Sequence, residues 1–100
     1  MSQIIDDNYK AKNNSFLYFL HEEDIFDIEA LNNLCLNINS LVCRNEDICR
    51  KLFFIYSQIL RHIIFHFDRN DQSTIKNLPD NYVDYINELE DVIDRYINGR

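Results

Sequence analysis

One hundred residues are enough for one domain with a single core. One Gly and one Pro are too few for the turns of a β-rich chain, and suit long helices with few connections. A net charge of −7 argues against a nucleic-acid backbone or an anionic membrane as direct partner.

The periodicity predicts an all-α fold. It reads as a small antiparallel bundle of three long helices plus a shorter N-terminal helix, in one domain over residues 1–100. Near the N-terminus Ile5, Tyr9, Phe16, Phe19 and Leu20 recur at helical spacings. Asn13, Asn14 and Ser15 interrupt them with residues that prefer caps and turns, so a short helix starting at Ser15 is expected.

The polar stretch His21–Asp24 is followed by a second helix, capped by Asp24 or Asp27 and running to about Cys43. Its apolar stripe is Ile28, Leu31, Leu34, Cys35, Ile38, Leu41 and Val42, and only Leu36 breaks the polar face. Arg44 ends it and Asn45 caps the next. So short a connection predicts that the two helices are antiparallel neighbours.

Asn45–Phe67 is the longest apolar-periodic run and predicts the central helix. Ile48, Leu52, Ile55, Tyr56, Ile59, Ile63 and Phe67 make the main stripe. Cys49, Phe53, Leu60 and Ile64 are expected to widen it to half the circumference. Arg50, Lys51, Ser57, Gln58 and Arg61 lie opposite, together with Phe54 and Phe65.

Asp68–Asp80 reads as a loop that Ile75 and Leu78 pin to the core. Pro79-Asp80-Asn81 opens the last helix, whose stripe is Tyr82, Ile86, Leu89, Ile93, Tyr96 and Ile97. Gly99 is its expected stop.

Charge is unevenly spread. Residues 1–43 carry seven acids and two bases, 44–78 four acids and six bases, and 79–100 six acids and two bases. A mildly basic centre therefore stands between acidic flanks.

Little in the chain asks for chemistry. His62 and His66 are four apart, as a helical metal pair would be. The residues between them are apolar and no Glu completes the pattern, so both read as structural. The three cysteines, at 35, 43 and 49, form no CxxC pair and read as reduced thiols of a cytoplasmic protein. No N-terminal stretch has the basic, apolar, small-residue order of a signal peptide, and the longest apolar segment carries too many charges for a membrane span. The paired carboxylates lie on polar faces rather than in a cleft, so neither enzyme, metal site nor cofactor is expected.

Two surfaces suit a protein partner. One is acidic: Glu22, Glu23, Asp24 and Asp27 near one helix start, and Asp84, Glu88, Asp91 and Asp94 along the last helix, with Tyr82 and Tyr85 as aromatic anchors. The other is the second stripe Phe54, Gln58, Arg61 and Phe65, at i, i+4, i+7 and i+11. In size, acidity and lack of catalytic motifs the chain resembles the cytoplasmic immunity and antitoxin proteins that neutralise bacterial nuclease toxins, a likeness carried by no motif. It implies a basic partner, with the acids pairing to its Lys and Arg. The alternative is a self-associating structural or regulatory module, a homodimer built on Phe54, Arg61 and Phe65.

Overall fold

Three helices begin by the same device, a side-chain oxygen accepting from the first free backbone N–H groups. Ser15 Oγ accepts from Tyr18 N at 3.2 Å, Asp27 Oδ1 from Ala30 N at 2.9 Å, and Asn45 Oδ1 from Asp47 N and Ile48 N at 2.8 and 3.1 Å. The computed structural model describes residues 3–68 and 74–99. The described residues are all-helical, with no strand among them. In order they are α1 (Gln3–Tyr9), α2 (Phe16–Tyr18) running into a π-helical turn (Phe19–Glu23), α3 (Ile28–Asn39), α4 (Glu46–His66) and α5 (Tyr82–Asn98).

The N-terminal part is thus two short helices rather than one. Ala11, Asn13 and Asn14 all take positive φ between them. Asn tolerates that conformation; Ala does not, and is held in it at some cost. The holding network is buried. Asn8 donates to Ile4 O at 2.9 Å and accepts from Leu17 N at 3.0 Å, and Ser15 Oγ donates to Asp7 O at 3.2 Å. The π turn ends at Asp24, also at positive φ, where Phe19 O accepts from both Asp24 N and Ile25 N. Asp27, not Asp24, is the cap of α3.

α3 stops earlier than its stripe suggested. Ser40 N donates to Leu36 O and Asn37 O, and Ser40 Oγ takes Asn37 O at 2.8 Å, which closes the last turn. Leu41 is half-buried beyond it, but Val42 is fully out in solvent. The expected α3–α4 neighbourship also fails. Their backbones are not in close contact, while α1, α2 and α5 each touch both. α2, whose Phe16 is fully buried beside the equally buried Leu20 and Phe26, packs against both helices instead.

α5 is tied to both. Asn77 holds Phe26 at two points, accepting from its N–H at 2.7 Å and donating to its carbonyl at 3.2 Å. The Phe26 and Tyr85 rings meet edge-on at 5.9 Å. At the other end Arg95 reaches Asn39, Arg44 Nε donates to Ile97 O at 3.0 Å, and Tyr96 spans Cys43 and Asn45. Arg44 therefore serves the end of α5 rather than the end of α3. Ile75 is buried and Leu78 half-buried, as expected of the loop, of which residues 69–73 lie outside the described residues. Gly99 ends α5 at φ 74°, its N–H on Arg95 O.

Candidate interaction surface

The surface is built on α4. Ile48, Leu52, Ile55, Ile59 and Ile63 face inward and are buried. The flank towards the N-terminus is covered by α1. Lys51, expected on the solvent face, is half-buried beneath it: Nζ lies 2.9 Å from Asp6 Oδ1, 3.2 Å from Asp47 Oδ2 and 5.6 Å from the Tyr9 ring centroid. The hydrogen bonds that Lys51 donates to Asp6 and Asp47 raise its pKa, and the one to Asp47 lowers that of Asp47.

The expected second stripe is split by this cover. Tyr9 packs edge-on against Phe54 at 5.2 Å, leaving Phe54 41% exposed. Phe54, Gln58 and His62 line a small open cleft of about 180 Å³ with Tyr9, Leu17 and His21. Arg61 is exposed and sets its guanidinium 5.5 Å from the centroid of the half-buried Phe65 ring.

The other flank of α4 holds what the sequence reading missed. Phe53, Ile64 and Phe67 are 70%, 64% and 59% exposed. They do not widen the core stripe; they form a separate solvent-facing one with Ser57 and the half-buried Leu60. Periodicity fixed their angle on the helix, but how far neighbours wrap around it depends on the α4–α5 contact. The spacing 53, 57, 60, 64, 67 was the signal available. Phe67, at the C-cap of α4, rests against His66 and Tyr82.

Along one edge of this stripe runs α5. Tyr56 donates to Glu90 Oε1 at 2.6 Å, and burial, then this bond, push the Tyr56 hydroxyl up to about 12. The outer face of α5 is acidic. Asp84, Glu88 and Asp91 are exposed and make no ion pair among the described residues. Asp94 accepts from Asn98 Nδ2 at 2.5 Å. Tyr82 and Tyr85 are half-buried at the same end of the helix.

The second acidic group is only partly beside the first. The Asp24 carbonyl accepts from Lys76 N at 2.7 Å, and the Phe26–Tyr85 contact brings the Asp24–Asp27 segment next to the start of α5. Glu22 and Glu23, exposed on the π turn, lie with His21, which meets His62 edge-on at 5.7 Å.

His66 and Cys35 are engaged in structure, while Cys43 is an exposed thiol. His66 Nδ1 accepts from Ile75 N at 3.0 Å and so anchors the loop. Cys35 is buried, and burial followed by nearby Glu88 pushes its thiol up to about 11, away from the nucleophilic form. A polar depression of about 370 Å³ beside α1 is lined by Asp7, Asn13 and Asp27 among others. Asp7 there accepts from Gln3 and Asn13, and Asp27 caps α3. Among the described residues no His, Cys, Asp or Glu cluster could hold a metal ion, and no helix is long and apolar enough to cross a membrane. No known protein family, curated protein or solved structure matches the chain.

Proposed function

We propose that this chain is a small acidic binding protein of the immunity or antitoxin kind, which neutralises a basic, nuclease-like toxin by occluding its cleft. It acts by binding rather than turnover, needs no cofactor, and works in the cytoplasm. The observation that carries the reading is the outer face of α5, where Asp84, Glu88 and Asp91 stand exposed with no ion pair among the described residues. Such a face steers a basic partner and raises its association rate. Tyr82 and Tyr85, with Asp24 and Asp27 beside them, are the anchors at its end; Asp94 extends it, and Glu22 and Glu23 stand further round. The same reading takes α3, α4 and α5 as an up-down-up antiparallel bundle, supported by Asn45 meeting Tyr96 at one end of α4 and Phe67 meeting Tyr82 at the other.

The test is capture of the partner from the native host at low salt, followed by binding titrations with the purified pair. The partner should carry a basic cleft, lose its nuclease activity in the complex, and bind less tightly as NaCl rises. Asp84→Asn, Glu88→Gln and Asp91→Asn together should weaken binding by roughly a hundredfold. Salt-independent binding, or a triple variant equal to wild type, would sink the proposal.

A further inference from the structure

The exposed stripe of α4 has a pattern of its own. Phe53, Ser57, Leu60, Ile64 and Phe67 follow steps of four, three, four and three, the a/d spacing of a coiled-coil seam. Over these positions the seam is about 21 Å long. Its two edges carry opposite charge. On the α5 side stands Glu90, positioned by Tyr56; on the other side stands Arg61, exposed.

From this we infer that the stripe is the seam of a homodimer in which two α4 helices pack parallel about a two-fold axis along their length. That axis exchanges the edges, so Arg61 of each copy faces Glu90 of the other. An antiparallel pairing would set Glu90 against Glu90 and Arg61 against Arg61. A second copy presents the same apolar spacing and, about this axis, the reversed edges, so the contact is isologous and closed. The net charge of −7 per copy opposes the association at long range, but is screened beyond roughly 8 Å at physiological salt. Asp84, Glu88 and Asp91 lie on the outer face of α5 and stay free in the dimer, so this inference is independent of the toxin-binding one.

Sedimentation equilibrium of the full chain, from low micromolar to near-millimolar, tests it. Wild type should show a monomer–dimer equilibrium that survives high salt. Ile64→Asp should be monomeric with an unchanged helical spectrum. Arg61→Glu and Glu90→Lys should each weaken the dimer by roughly tenfold, and an equimolar mixture of the two should restore it as a heterodimer. Recovery on mixing separates a lost contact from a misfolded variant. In a Cys43→Ser background, Ile64→Cys should form a disulfide-linked dimer on mild oxidation, as the parallel register requires. A wild-type monomer at every concentration would overturn the inference, as would a dimer indifferent to the charge exchange. If the acidic triple variant loses toxin binding while dimerising normally, the two surfaces are distinct.

Discussion

The Tyr96 hydroxyl closes the gap before α4 by meeting Asn45: it accepts from Asn45 N at 2.8 Å while donating to the Cys43 carbonyl at 2.8 Å. One side chain near the end of α5 thus satisfies two backbone groups on either side of Arg44. Asn45 then caps α4 with its own amide oxygen. Replacing Tyr96 with Phe removes both bonds in a region water can reach, so the loss should be modest. We expect about 1 kcal/mol of destabilisation in urea unfolding, with no change in helix content.

Asn8 should cost more. It is 1% exposed, and both ends of its amide are engaged, with Ile4 O and Leu17 N. Asn8→Ala removes both bonds and leaves the buried Leu17 N–H without its acceptor. The expected loss is roughly 2–3 kcal/mol, read from the urea midpoint and visible as a lowered Tm.

Alkaline pH offers a third measurement. The Tyr56 hydroxyl titrates at about 12 in the folded chain against an ordinary value of 10.0. The raised value means that the folded state favours the protonated form. Its contribution is present in full below pH 10 and is lost as pH rises towards 12. Wild type should therefore lose stability faster than Tyr56→Phe across that window, and the two curves of stability against pH should converge at its upper end. Parallel curves would mean that the Tyr56–Glu90 bond does not couple to folding.

Thiol labelling separates the cysteines. Cys43 is exposed, whereas Cys35 and Cys49 are buried. Cys43 should react with a thiol reagent at the rate of a free peptide. Cys35, with its thiol at about 11, should react only through opening of the fold. Added urea below the unfolding midpoint should speed the slow class and leave Cys43 unchanged.

Local chemistry was legible in the sequence, and its range shows why other features were not. The Asn45 cap, the Gly99 stop and the Leu31–Leu34–Cys35–Ile38 stripe depend on residues within one or two turns of each other, and the structure has all of them. Phe53 and Ile64 were misread because a stripe records direction, while coverage depends on distant neighbours. The early end of α3 was hidden because Ser40 closes it by a side-chain bond that an apolar pattern does not register. Lys51 looks like solvent-face charge until α1, folding back over α4, supplies Asp6. Of the candidate surface, the acids of α5 could be read from phase alone. The seam beside them could not, because it exists only where α5 leaves α4 uncovered.

The two-point grip of Asn77 on Phe26 has a consequence in time. The inner side of α3, with Leu31, Leu34 and Ile38, is completed by α5, the last helix in the chain and not the next one. During synthesis α3 and α4 emerge with only α1 and α2 to pack against, and the side of each that α5 covers waits for a helix not yet made. A nascent chain that stops before Tyr82 would present apolar surface to chaperones and proteases until α5 is made. The contact that closes the fold is thus among the last the chain can make in its own order of synthesis, and it joins segments 51 residues apart.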